Sequence, residues 1–300
     1  MRIFANDSLG NMNNSQVVYF TVSVDTTPPV LTIASPANTT YASTNTSLNV
    51  SANEAISVWQ YSLNGAANVS FTPNTTLTAA EGANTITITA NDTAGNRNTT
   101  TIYFTVDTTP PVLTVTSPTN TTYTSTSVWV NVTLNEAGHT VKAQLDGATN
   151  YSLSNSSVNR TTWATILGLS DGAHNVRIFA NDSAGNMNSS VVVYFTVDST
   201  RPVLTVASPQ NTSYAATNIS LNVSANEAIS VWQYSLNAGT NITFAPNTTF
   251  TATEGANNIY ITANDTAGNR NVTKVYFTVD TVSPNVQIDN PTNTTYTTAS

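Results

Sequence analysis

Carboxylates are scarce in this chain, sixteen in 300 residues, yet they recur at regular positions. Asp25, Asp107 and Asp198 are each followed 29 residues later by a glutamate, at Glu54, Glu136 and Glu227. A third acidic residue returns inside an Asn-Asp-x-Ala-Gly-Asn segment, as Asp92, Asp182 and Asp265, and Asp280 opens the pattern once more. Carboxylates backed by Asn amides and main-chain carbonyls suit a hard cation such as Ca2+, which takes about six to eight oxygen ligands. The expected ligand sets are Glu81, Asp107, Glu136 and Asp182; Asp171, Asp198, Glu227 and Asp265; and Asp25, Glu54 and Asp92. A second reading uses the same residues without metal. In it Asn91-Asp92 forms an Asx turn into Gly95, while Asp25 and Glu54 accept from backbone donors. The sequence leaves both open, and no other cofactor is expected.

Gly168-Leu169-Ser170-Asp171-Gly172 matches a nucleophile elbow, with His174 two residues on. That motif works on a sharp strand-to-helix turn, where a distant His and acid converge on the Ser. No helical pattern follows here, so the segment reads as a loop between strands, and His174 and His139 read as solvated surface residues. With no Cys and no His cluster, thiol catalysis and transition-metal sites have no ligands. No enzymatic activity is expected.

Positioning the carboxylates is the work of a repeat. Val-Asp-Thr-Thr-Pro-Pro begins at Val24 and Val106, and returns in looser form at Val197 and Val279. Residues 25–106 align without a gap to 198–279 with 62 identities in 82 positions. We designate these two segments A; residues 107–197 form a longer, divergent B. Arg2-Ile3-Phe4-Ala5-Asn6-Asp7 matches Arg177 to Asp182, so 1–24 reads as the end of a B repeat and 280–300 as the start of another repeat. The expected domains are therefore 25–106, 107–197 and 198–279, within a longer array whose neighbouring repeats are the nearest partners.

Within each repeat the hydrophobic period is two, as in Thr85-Ile86-Thr87-Ile88-Thr89-Ala90, which predicts strands buried on one face. Turn signals stand at Asn64-Gly65, Glu81-Gly82 and Ala94-Gly95-Asn96. About seven short strands in some 80–90 residues predict an all-β fold of tandem immunoglobulin-like β-sandwich domains arranged end to end. Trp59, Tyr61 and Leu63 are expected to face the core of A. In B the same positions are Val141, Ala143 and Leu145, and Trp129 or Trp163 is expected to fill part of the lost volume. Pro28-Pro29 and Pro110-Pro111 fix φ and make the joints short and semi-rigid.

These residues carry a resemblance. Asp-Thr-Thr-Pro-Pro at a repeat start, Asn53-Glu54-Ala55 after the second strand, and Ala90 to Asn96 before the last strand resemble the Ig-like repeats of prokaryotic surface proteins. The Ser-Pro-x-Asn-Thr-Thr-Tyr segments, Ser35 to Tyr41 and Ser117 to Tyr123, are similar to those of archaeal surface proteins. The resemblance implies an extracellular stalk, sheath or surface-layer arm, with two alternatives: an adhesin whose modules bind glycans or a partner protein, or accessory repeats of a secreted hydrolase.

Composition agrees with a surface role and excludes others. Thr, Asn and Ser number 56, 40 and 30, while basic residues number eight, for a net charge of -8. That leaves no cationic footprint for nucleic acid or an anionic membrane. No stretch approaches the roughly 18 apolar residues of a membrane span. Asn-x-Ser/Thr sequons number 24, and glycosylation is expected at Asn38, Asn49, Asn74, Asn120, Asn211, Asn222 and Asn247.

Overall fold

The computed structural model describes residues 2–13, 17–155, 157–158, 161–289 and 295. Every regular element among them is a strand, and no helix is long and apolar enough to cross a membrane. Packing divides the chain into two compact units. One is Met1–Val112 with Leu134–Thr140 and Ala180–Asn188; the other is Leu113–Thr133 with Val141–Phe179 and Ser189–Ser300.

In the first unit, β1 (Ala5–Asn6) and β2 (Met12–Asn13) make a short antiparallel hairpin. Eight strands follow: β3 (Leu31–Ser35), β4 (Thr40–Tyr41), β5 (Asn45–Ala52), β6 (Ile56–Leu63), β7 (Val69–Ser70), β8 (Thr75–Thr78), β9 (Gly82–Asp92) and β10 (Arg97–Val106). They form two sheets, ordered β3-β5-β8 and β4-β10-β9-β6-β7, the two layers of an Ig-like sandwich. The chain leaves the first sheet after Ser35 and enters the second at β4, which runs parallel to the end of β10. The opening strand thus edges both sheets.

The period-two pattern explains the layers. Ile86, Ile88 and Ala90 on β9 are fully buried, and the two isoleucines share a core with Leu48 and Val50 from β5. Fully burying one such aliphatic side chain contributes about 1.5–3 kcal/mol. The intervening threonines lie on the opposite face of the sheet and pair across β9 and β10, Thr87 with Thr101 at 3.1 Å and the buried Thr89 with Thr99 at 3.2 Å. Trp59, Tyr61 and Leu63 pack against the core as the sequence predicts. The β6–β7 connection starts at Asn64-Gly65, whose φ values of 51° and 74° are those a type I′ hairpin turn demands.

The second unit holds the strands of residues 204–279, with sheet orders and pairings that repeat those of β3–β10. Its core gathers Ile219, Leu221, Trp232, Phe250, Ile259, Ile261 and Phe277. In B, Ser127–Leu134 buries Val128, Val130 and Val132, and Thr162–Gly168 pairs with it so that Trp163 stands opposite Val132. Trp163 is therefore buried, at 5% exposure, and fills the core. Trp129, on the other face of its strand, is 54% exposed and does not, which narrows the expectation to one tryptophan.

Candidate functional site: the carboxylate joints

Each acidic turn is built locally. Asp92 Oδ1 accepts from the N–H groups of Ala94 and Asn96 at 2.8 and 2.9 Å, and its Oδ2 accepts from Asn96 Nδ2 at 2.8 Å. Gly95, at φ 94°, lets the chain reverse between β9 and β10. The same Asx turn forms at Asp182 and Asp265, with the N–H groups of Gly185 and Asn186, and of Gly268 and Asn269. It also forms at Asp7 in the β1–β2 hairpin, with Leu9 and Asn11. Burial pushes the Asp92 and Asp265 carboxyls up, but the bonds from Asn96 and Asn269 and their neighbours outweigh it and hold both below the usual carboxylate range.

The amide of that turn then reaches the start of its repeat. Asn96 Nδ2 donates to the Asp25 carbonyl at 3.1 Å, Asn186 Nδ2 to that of Asp107 at 2.7 Å, and Asn269 Nδ2 to that of Asp198 at 2.8 Å. Two residues on, Asn98, Asn188 and Asn271 donate to the carbonyls of Pro29, Pro111 and Pro202. Meanwhile the Asp107 N–H donates back to Tyr41, and the Asp198 N–H to Tyr123, both at 2.9 Å. A single aspartate is thus hydrogen-bonded through its N–H to one repeat and through its carbonyl to the next. No residue is left over as a linker.

These clamps bring three carboxylates together at each repeat start. Oxygens of Asp25, Glu54 and Asp92 lie within 4.8 Å of one another, as do those of Asp107, Glu136 and Asp182, and of Asp198, Glu227 and Asp265. Burial first, and then the two aspartates beside it, push the Glu54, Glu136 and Glu227 carboxyls up. Glu227 Oε1 is an enclosed oxygen without a hydrogen-bond donor. The sets are oxygen-only and hard, the chemistry of a Ca2+ site rather than of a transition-metal site. The Asx turn and a grouping of three carboxylates are thus both present at each repeat start.

Glu81 and Asp171 do not join the clusters, which corrects the four-carboxylate sets. Glu81 instead accepts from Thr108, at 3.1 Å from its N–H and 2.9 Å from its hydroxyl. Asp171 accepts from the Ser199 N–H at 2.9 Å, the Ser199 hydroxyl at 2.7 Å and the Thr200 hydroxyl. Glu254, not singled out by the sequence, holds Thr281 in the same way. The carboxylate has a hydroxyl and an N–H directly in front of it, and spends its lone pairs there as a clip across the joint.

His174 also departs from expectation. Its side chain is 10% exposed, with Nδ1 2.8 Å from Asp146 Oδ2 and Nε2 2.9 Å from the Ser170 carbonyl oxygen. Ser, His and Asp stand near one another, but the imidazole addresses the main chain of Ser170 rather than its hydroxyl. Gly168 to Gly172 joins two strands, not a strand and a helix, so the elbow geometry does not arise. His139 is exposed. Of the sequon residues, Asn38, Asn74, Asn120, Asn211 and Asn247 are exposed, whereas Asn49 and Asn222 are half-buried in mid-strand.

Residues 28–108 match the family model described as a bacterial Ig-like domain. Among solved structures, the fibronectin(III)-like modules of Clostridium thermocellum CbhA are 16% identical at a TM-score of 0.36, over 59% of this chain and 100% of that one. A structure concerning host cell surface retention of a 1.5-MDa bacterial ice-binding adhesin is 17% identical at 0.37, over 85% and 99%. A tetra-tandem repeat in the extending region of a large adhesion protein is 20% identical at 0.31, over 84% and 74%. No curated protein matches significantly. At these TM-scores the fold assignment rests on strand topology and on the family model.

Proposed function

The chain being a tandem array of Ig-like repeats, we propose that it works as a non-catalytic stalk or spacer arm of an extracellular surface protein. Its working domains are residues 25–106, 107–197 and 198–279, flanked by partial repeats. The observation that carries this reading is the absence of slack: Asp107 and Asp198 each bond to the repeats on both sides. Such a joint transmits direction along the chain, whereas a flexible linker loses it within a few residues. Glycans on the exposed Asn38, Asn74, Asn120, Asn211 and Asn247 would shield the arm, and intact-mass analysis of glycopeptides from the native source tests that part.

We further propose that Ca2+ binds the three-carboxylate clusters and stiffens the joints. The support is the enclosed Glu227 Oε1 and three like charges held within 4.8 Å. Small-angle scattering of the whole chain in Ca2+ and in chelator tests both ideas. A sandwich with strands of this length is about 40 Å long, so three in line span roughly 120 Å, a radius of gyration of about 35 Å for a thin rod, against about 19 Å for a compact body of this size. The expected result is the extended form, stiffer in Ca2+ and with a higher melting temperature there. Scattering and melting that ignore chelator would remove the metal and leave the clamps as the cause of stiffness. A radius near 19 Å would remove the stalk.

A further inference from the structure

One node recurs in all three repeats with one change of chemistry. In the first A repeat, Asn64 Nδ2 donates to Asn84 Oδ1 at 2.8 Å, and Asn64 Oδ1 accepts from the Thr85 N–H at 2.8 Å. Asn84 Nδ2 donates to the carbonyl of Ala80, the residue before the Glu81 clip. Asn237, Asn257 and Thr253 repeat this arrangement before the Glu254 clip. In B the two asparagines are replaced together, by Asp146 and His174. Asp146 Oδ1 accepts from the Asn175 N–H at 2.8 Å, as Asn64 does from Thr85. His174 takes the place of Asn84 and binds the carbonyl of Ser170, the residue before the Asp171 clip.

The asparagine pair does not titrate; the Asp–His pair does. Both partners of the imidazole, a carboxylate and a carbonyl oxygen, are pure acceptors, so both ring nitrogens must donate, which only the protonated ring does. We propose that the joint from B into the following A repeat is a proton-controlled lock, in which the His174 imidazolium ties Asp146 to Ser170 and so holds Asp171 on Ser199 and Thr200. The surroundings agree. Asp146 is the charged group acting on His174; the ring of Phe195, packed beside it at 5.8 Å from the last strand of the repeat, is uncharged; and Asp171 is turned to Ser199 and Thr200. Burial pulls the imidazole down, but the Asp146 and Ser170 bonds outweigh it and raise it above its ordinary 6.5. Asp146 moves the other way: burial pushes it up, and the bonds from Asn175 and His174 bring it below 3.8.

The signs define a window. A raised His contributes fully below its ordinary value and loses that contribution as pH rises through the folded one; a lowered Asp contributes above its ordinary value and loses it as pH falls through the folded one. The lock is complete between the ordinary values of the two groups, 3.8 and 6.5, and opens as pH rises through the raised value of His174. The Glu81 and Glu254 joints, built on asparagine nodes, do not share this dependence.

The test is NMR on the whole chain. The His174 ring signals are expected to titrate above 6.5. The protection of the Ser199 amide, corrected for intrinsic exchange, is expected to fall as pH rises through the observed His174 titration. The Thr108 amide, held by Glu81, serves as the internal reference and should keep its protection. The double variant Asp146→Asn, His174→Asn rebuilds the asparagine node and is expected to make Ser199 independent of pH. A His174 that titrates at or below 6.5, or a Ser199 protection that follows Thr108 across the range, would overturn the proposal, and both readouts come from the unsubstituted protein.

Discussion

Replacing Trp163 by Ala is expected to cost the B sandwich about 3–5 kcal/mol, while the same change at Trp129 should stay within about 0.5 kcal/mol. Both residues are tryptophans in neighbouring, paired strands, and composition gives no reason to separate them. Trp163 points inward beside Val132 and is 5% exposed; Trp129 alternates with Val128 and Val130 and is 54% exposed. Removing the indole at 163 leaves a cavity that strand backbones cannot close, because each is fixed by its ladder. B carries Val141 and Ala143 where the A repeats carry Trp59 and Tyr61, so neither of those two positions offers an aromatic to refill the space. Native-state hydrogen exchange at Val130 and Leu167, two core positions of paired strands, reads the local free energy directly. Equal losses from the two variants would show that the strand alternation is wrong at this place.

The second large effect is at Asp265. Asp265→Ala is expected to destabilise the last complete repeat by about 2–4 kcal/mol, since it orphans donors that hydrogen-bond a charged acceptor. Asp265 is 1% exposed and takes the Gly268 and Asn269 N–H groups and the Asn269 side chain. Asn269 is 8% exposed, so water cannot fully replace the lost oxygen. Its freed Nδ2 also holds the Asp198 carbonyl, and the joint should loosen with the turn. Asp265→Asn keeps one carbonyl oxygen and should recover part of the loss. Because the folded carboxyl is held low, its contribution is present above the ordinary 3.8 and fades as pH falls through the lowered value. Thermal unfolding at pH 7 and pH 3 checks both the size and the direction. The matching change at Asp7, whose turn is exposed, should leave global stability almost untouched; comparable losses at both positions would mean that burial is not what gives the turn its weight.

The comparison of Asp7 with Asp265 also separates what the sequence encodes locally from what it does not. The Asx turn at Asp7 forms in a hairpin of two-residue strands outside any described sandwich. An aspartate, the donors that follow it and a glycine at positive φ are sufficient, which is why the turn is legible in six residues. Strand alternation and the Asn-Gly turn are likewise contacts between near neighbours, and they led to the sandwich without further information. Residues brought together from afar were harder. The carbonyl of Asp25 meets Asn96 and the Asp107 carbonyl meets Asn186 only after both sheets have closed. Spacing placed three carboxylates at one pole but also drew in Glu81 and Asp171, because a sequence pattern records which pole a residue occupies and not which donor lies in front of it. The hydroxyls of Thr108, Ser199 and Thr200 lay closer, and a carboxylate near such donors binds them before it joins three like charges. His174 shows the same limit. It lies near the start of the strand Gly172–Asp182, and its partner Asp146 stands 28 residues earlier, just past the strand Gly138–Leu145, a sheet neighbour not consecutive with it in the chain, so that only sheet assembly decides the meeting. The sequence by itself determined the repeat, its strands and its acidic turns, since these follow from period and short-range hydrogen bonding; the tertiary structure decided which oxygens share a site and which close a joint, since that depends on distances set by sheet packing between residues far apart in the chain.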